Sequence, residues 1–560
     1  MHLTAFPSRL SKLSIASLMV CAAASAFAQV RPDAGQTQRE VQPTAPIRPA
    51  PAAAPISVQT PQPAPGANST VPITPTAFSY TGNTLFSAAE LDALINVGLG
   101  KSQTLSQINI LLGNITTFYR SKGYVFARAY LPPQDIKDGK ILVAIVEGKH
   151  GTTLLTNTSG VRSSVIESVL APLSGGQVIN EATLQRQMLL LQDLPGIQPS
   201  AAIFPGAQVG TADLGVVVNP GSKIYGSAEV DNYGGAFTGR SRLSVGLGIN
   251  NIAGLGDVLN LRGSTSGEGL SYARVAYQLP IGGSGLNVGI NFSTLRYELS
   301  GKFAALDANG KANSNGLSAS YPIIRSPKQN MRFGLTYDHK TSQDRLDSLL
   351  DVSDKTNKLW MMSLSGDIRD GSGITGYSLA YGSGKLALDA AHIAGDLSTA
   401  RTAGSYSKIN LGVQRVQALS PSTELQINFS AQIPGKNLTS AEKMSVGGPG
   451  GVRAYATSEA PGDRGQLLNL ELRRAFNANW QASAFLDAAQ TTTNHTLWAG
   501  ALTPGQSNKR SLAGAGIGVQ WSDAKNLRVK AQLATRLGNE AATSDKDSRS
   551  RIWLQASIAF

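Results

Sequence analysis

Residues 550–560, Ser-Arg-Ile-Trp-Leu-Gln-Ala-Ser-Ile-Ala-Phe, alternate apolar and polar side chains to the last position of the chain. Successive strand side chains point to opposite faces, so Ile552, Leu554, Ala556, Ile558 and Phe560 share one face while Arg551, Gln555 and Ser557 share the other. A strand with lipid on one side and water on the other has this pattern. The same alternation recurs from Gly221 onward: Leu243, Val245, Leu247 and Ile249 oppose Arg242, Ser244, Gly246 and Asn250, and Leu425, Ile427, Phe429 and Ala431 oppose Gln426, Asn428, Ser430 and Gln432. A soluble sandwich alternates too, but it needs a second sheet to cover each apolar face. Glycine-rich strands over residues 221–560 with no helical period suit one large closed barrel better, and the spacing predicts about 16 antiparallel strands. An even number returns both ends of the barrel to the same side of the membrane.

The other end of the chain agrees. Arg9 and Lys12 precede an apolar run from Leu13 to Ala26, and Ala26-Phe27-Ala28 is a small-x-small cleavage pattern, so residues 1–28 read as an export signal. The run is too short for a spanning helix, which needs about 20 apolar residues. Cys21 is the only cysteine and leaves with the signal, which removes thiol catalysis, thiolate metal sites and disulfides from consideration. Loss of Arg9 and Lys12 lowers the net charge from +13 to +11. For an exported protein this basic balance points to anionic lipid headgroups or an acidic passenger, not to nucleic acid.

Residues 29–77 hold 11 of the 27 prolines and read as a semi-rigid linker in which only Asp33 to Gln42 could form a short helix. Residues 78–148 then change character. Ser87 and Glu90 form a capping-box pair, a helical period from Thr104 to Lys122 stops at Gly123, and strands follow over Val125–Leu131 and Lys140–Glu147. Residues 149–220 repeat this order, with helices near Ser163–Leu170 and Glu181–Leu194 and strands around Ser200–Phe204 and Leu214–Asn219. The domain reading is therefore two small strand-helix-helix-strand-strand modules, then a barrel over 221–560 interrupted by a long insertion at 434–464, far beyond an ordinary hairpin loop.

That insertion contains Val452-Arg453-Ala454-Tyr455, and a later strand carries Phe485-Leu486-Asp487-Ala488-Ala489. The phase of that strand puts Phe485 and Asp487 toward the lumen, where a carboxylate is costly without a counter-charge. With these motifs in order, the chain resembles the two-partner secretion transporters of the outer membrane, exporters of haemagglutinin and haemolysin type within the outer-membrane assembly superfamily. Family members carry a Val-Arg-Gly-Tyr/Phe loop motif and a Phe-x-Asp-x-Gly strand motif; here Ala454 and Ala489 replace the glycines, and Ala454 is expected to reduce backbone freedom at the loop tip. Gly123-Tyr124, the stretch Ala127 to Ile136, and Val146-Glu147-Gly148 are similar to the family's first polypeptide-transport-associated (POTRA) domain, and Leu194-Pro195-Gly196-Ile197 with Pro205-Gly206 to its second.

The resemblance implies a non-enzymatic outer-membrane transporter without cofactor, whose periplasmic POTRA edges capture a large, unfolded, β-helical exoprotein. It implies that Arg453, Asp487, Tyr455, Val452 and Phe485 hold the loop in the pore, and that Phe560 addresses the chain to the barrel assembly machinery among outer-membrane lipids. Basic inward residues such as Arg242, Arg332, Arg473, Arg528, Lys530 and Arg536 suit a hydrated lumen. An assembly factor that inserts other barrels is the alternative, although such proteins usually carry more POTRA domains. A barrel enzyme would need a histidine beside a serine nucleophile, and the five histidines are dispersed. A passive porin would not need the two modules.

Overall fold

Strands whose lipid-facing side chains are apolar can leave no open edge in a membrane, because every backbone polar group there must be paired. The computed structural model describes residues 31–41, 56–58, 72–267 and 269–560. Within it, 16 strands from Ile224–Asp231 to Ser550–Ala559 close into one antiparallel barrel, each paired with its neighbour in sequence and the last with the first. The seam runs from Gln555 opposite Asp231 to Ala559 opposite Ser227. It is extended by mutual backbone bonds between Gly226 and Phe560, whose ring lies against Gly226 where a Cβ would collide. Ile552, Leu554 and Ile558 are exposed on the outer wall while Trp553 is buried inside, the phase expected from alternation. No helix among the described residues is long and apolar enough to cross a membrane.

On the side where both barrel ends emerge lie the two modules. In the first, helices Ala88–Ile95 and Leu105–Ser121 pack on a three-stranded sheet in which Lys140–Val146 is central, parallel to Ala77–Thr81 and antiparallel to Arg128–Tyr130. Both helices open with full capping boxes, at Ser87 with Glu90 and at Thr104 with Gln107. Glu147 is buried where this sheet ends and accepts bonds from Thr84 N (2.7 Å), Leu85 N (2.9 Å), the Thr84 hydroxyl and Tyr119 OH (3.0 Å). In the second module, helices Ser163–Leu170 and Glu181–Gln192 cover a sheet, with Leu191 of the second helix packed among Ile203, Val216 and Val218 of the strands. Asp193, just after the second helix, grips Arg325 on a barrel turn through two bonds of 2.8 Å and ties the module to the barrel.

Several expectations change. In the span 29–77 the short helix allowed at Asp33 to Gln42 forms over Ala34–Val41, but it lies inside the barrel, and Ile56–Val58, expected as linker, is a strand parallel to Ala201–Ile203 on the edge of the second module's sheet. The first strand expected from Val125 is confined to Arg128–Tyr130, because the chain first turns at Tyr124 to Ala127. The barrel region, expected to lack helix, has one at Ala390–Ser398, where Asp389 accepts from the amides of Ala391 and His392 in a long rim connection. The export signal expected at residues 1–28 lies outside the described residues.

Candidate functional site: a loop folded into the barrel lumen

The connection between strands Thr423–Pro434 and Arg464–Ala475 starts at the rim opposite the modules and folds inward. Isolated pairings of Met444 with Gly462 and of Gly447 with Val452 double it back on itself. Its apolar residues Val446, Val452, Ala454 and Tyr455 are buried against Leu467, Phe485 and Leu512 of the inner wall.

At its tip Arg453 is 4% exposed and Asp487 2%. The guanidinium meets the carboxylate through two bonds, Nη2–Oδ1 at 2.7 Å and Nε–Oδ2 at 2.9 Å, and the Arg453 amide donates to Oδ2 at 3.0 Å. Nη1 donates to Glu471 at 2.5 Å, and Arg473 donates to the other Glu471 oxygen at 2.9 Å. Two cations thus face two carboxylates, so the buried cluster is formally neutral. Charge-assisted, bidentate contacts of this kind are the strong class of hydrogen bond, and they offset the desolvation of the ions they join. Phe485 lies under the guanidinium, 3.4 Å from ring centroid to Cζ, and adds a cation–π contact.

All five residues expected at the lock lie in or beside this cluster. Arg453, Asp487 and Phe485 touch directly; Val452 donates its amide to Val446 O (2.7 Å) in the loop's own turn; Tyr455 reaches away, its hydroxyl donating to Glu540 O at 2.9 Å. Ala454 does not strain the tip: the loop residues in the left-handed region are Gly448, Ser458 and Ala460, and the Ala454 methyl occupies space left open by Gly514. Sequence reasoning missed Glu471, Asn469 and Trp553. Asn469 and Glu471 lie directly opposite Asp487 and Phe485 in register, so their inward phase carried a signal, and Trp553 sat on the polar phase of the terminal strand. Asn469 bridges Asp487 (2.8 Å) and Gly451 O (2.9 Å), and the Trp553 indole N–H donates to Arg453 O.

Two further groups pin the loop and the N-terminal helix together. Glu442 of the loop pairs with Lys408 (2.7 Å) and Lys340 (3.2 Å) on the wall; burial pushes its carboxyl up, but the two ammonium groups prevail and hold it down to about 2. The helix Ala34–Val41, too short to persist alone in water, packs Ala34 and Val41 against Leu270, Tyr272, Leu295 and Tyr297 of the wall. Asp33 accepts from Gln36 N (2.8 Å) at the helix start, pairs with Lys355 (2.9 Å) and accepts from Ser440 of the loop. Burial raises the Asp33 carboxyl, yet Lys355 and Ser440 outweigh it and leave it at about 2. Arg39 donates to Ser445 (2.9 Å) and Glu40 accepts from Ser458, both on the loop. For Glu40 burial wins over Ser458 and Arg39, and its carboxyl stands above the usual range.

A sequence model described as haemolysin secretion/activation protein ShlB/FhaC/HecB matches residues 210–521, more than half of the chain, and one described as POTRA domain, ShlB-type, matches residues 73–148. The heme/hemopexin transporter protein HuxB of Haemophilus influenzae (strain 86-028NP) is 27% identical over 481 residues, 84% of either chain. The outer membrane transporter CdiB of Dickeya dadantii (strain 3937) is 24% identical over 415 residues, 72% of this chain and 71% of its own. The solved structure of CdiB from Escherichia coli matches with a TM-score of 0.74 at 17% identity, covering 100% of both chains, a likeness of fold.

Proposed function

The chain belongs to the haemolysin secretion/activation protein family, the two-partner secretion transporters of the outer membrane, and from that membership we propose how it moves its passenger. Residues 78–148 and 149–220 act as two periplasmic POTRA domains that capture an unfolded exoprotein as an added strand, main chain to main chain. The exoprotein then crosses the barrel after the helix Ala34–Val41 and the loop 435–463 have left the lumen. The observation that carries this reading is the filling of the lumen by two segments joined to the wall and to each other by ionic and polar contacts around small apolar clusters. The ionic and polar contacts can be exchanged for water one by one.

The edge of strand Ile197–Pro205 is the favoured capture site. It is occupied by Ile56–Val58 of the same chain in parallel register, so the backbone groups a client would use are held by a segment that a client could replace. Because residues 42–55 join this strand to the lumenal helix, capture at the module and release of the helix would be linked through the chain. The terminal strand, with Phe560 at the seam, presents the C-terminus to the barrel assembly machinery. The test is secretion of the co-expressed exoprotein partner by cells carrying the full-length chain with Arg453→Ala: a correctly assembled barrel that fails to secrete supports the reading, and normal secretion removes the loop from it.

A further inference from the structure

The strands on one arc of the barrel are longer than a membrane requires. Ala308–Arg325, Gln329–Leu346, Asp351–Arg369 and Gly373–Leu388 hold 18, 18, 19 and 16 residues, against the 9–11 or so that span a bilayer. On their outer face the register resolves into rows. Phe333, Leu364 and Leu379 form one apolar row, and Leu335, Met362 and Tyr381 the next. Tyr337 and Trp360 follow, directly opposite each other with ring centroids 4.8 Å apart, as aromatic residues at the lipid–water boundary do.

The row after these rings is His339, Lys358 and Lys385, each directly opposite the next. It lies two residues beyond the rings, about 7 Å along the strands, on the side away from the modules. Lys358 and Lys385 are exposed, and among the described residues neither has a carboxylate within ion-pair reach. Like charges directly opposite on one sheet face repel. Further out on the same arc, Arg296 and Lys311 are a second directly opposed cationic pair, lining with Arg345 a concavity of about 670 Å³. Glu298, Asp347 and Asp354 are exposed acids close to this pair; Gln343 donates to Asp354 (2.9 Å), and Arg345 pairs with Asp347 (2.9 Å). The outer faces of strands Leu527–Arg536 and Ser550–Ala559, by contrast, carry Val529, Leu533, Ile552 and Leu554 without charge.

We infer that this arc is a docking surface for a phosphate-bearing glycolipid of the outer leaflet, with acyl chains on the Phe333–Tyr381 belt and phosphates on His339, Lys358 and Lys385. The juxtaposition selects the occupant: the cationic row is continuous with a lipid-facing apolar belt and sits one step above its aromatic edge, where a membrane lipid places its charged head. A phosphate there would relieve the Lys358–Lys385 repulsion, and basic residues at headgroup level each add to anionic-lipid affinity.

Native mass spectrometry of the full-length protein in detergent micelles, titrated with bisphosphorylated lipid A, dephosphorylated lipid A and inorganic pyrophosphate, tests this. The bisphosphorylated lipid is expected to bind roughly 30-fold more tightly than the dephosphorylated one, and Lys358→Ser/Lys385→Ser should lower its binding to the dephosphorylated level. Pyrophosphate should not displace it at equal concentration. Heat-modifiable gel mobility reports whether the variant barrel is folded. Equal binding of the two lipids by the unaltered protein, undiminished binding by the folded variant, or displacement by pyrophosphate would each overturn the assignment, the last by assigning the row to soluble anions.

Discussion

Trp553, on the last strand of the barrel, donates its indole N–H to the backbone carbonyl of Arg453 at 2.7 Å. The strand that closes the barrel thereby touches the tip of the lumenal loop. Trp553→Phe keeps most of the packing and removes one buried donor, which leaves a carbonyl unsatisfied at a cost of about 1–3 kcal/mol. The expected outcome is a folded barrel with more frequent channel openings in planar-bilayer recordings, and secretion retained.

Arg453 is planar and bonds two carboxylates at once, so a point charge cannot replace it. Arg453→Lys should behave closer to Arg453→Ala than to the unaltered protein. Removing one partner of a buried pair costs about 3–5 kcal/mol; here Asp487 loses its cation and keeps Asn469, while Glu471 keeps Arg473. Protease accessibility of the loop 435–463 in intact cells should rise in both variants, and the double variant Arg453→Ala/Asp487→Ala should add less than the sum of the single effects.

Glu40 makes docking of the lumenal helix sensitive to pH. Its carboxyl is raised by burial, so the docked helix holds the proton more tightly than the released one: docking is strongest at low pH and weakens as pH rises through the raised value. Asp33 and Glu442, both held at about 2, stay ionised and add no change between pH 5 and 8. Conductance should therefore increase from pH 5 to pH 8, and Glu40→Gln should keep it low across that range.

Ser57 pairs with Ala202 on the edge of the second module. Ser57→Pro places a proline at the centre of this three-residue strand and disfavours its pairing, and the freed edge should bind the N-terminal segment of the exoprotein more tightly by about three- to tenfold in surface plasmon resonance with the full-length protein. Unchanged affinity would separate this edge from client capture.

Glu147 gathers four donors at the end of the first module's sheet. Glu147→Ala leaves two amides and two hydroxyls without it, and periplasmic proteolysis of the first module should increase while heat-modifiable mobility of the barrel stays unchanged.

Barrel and modules were legible because each rests on a local periodicity. Two-residue alternation gave about 16 strands and the inward phase of Asp487, the Ser87–Glu90 capping pair marked one helix start, and a helical period from Thr104 marked the other. What was not legible depends on contacts across hundreds of residues. Asp33 meets Lys355 and Ser440, Glu40 meets Ser458, and Trp553 meets Arg453; no local pattern announces such pairs. The helix Ala34–Val41 was visible as a possibility at Asp33 to Gln42, but its place in the lumen was not, since its stability comes from the wall. Ala454 was expected only to reduce backbone freedom at the loop tip; that its methyl fits the space left by Gly514 was not legible, because Gly514 lies on a different strand.

Whether the loop must leave its seat during transport can be asked with Ala454→Cys and Gly514→Cys, since a Cβ at position 514 would stand 2.7 Å from that of Ala454 and a small adjustment reaches disulfide geometry. The chain's only native cysteine is Cys21, in the stretch expected to be an export signal, so Cys21→Ser in the same variant leaves the pair chemically unique whether or not that stretch is removed. Secretion of the exoprotein by cells bearing this variant should stop when the pair is oxidised and resume on reduction, with barrel levels constant. Undiminished secretion with the pair fully oxidised would mean that the passenger crosses with the loop in place.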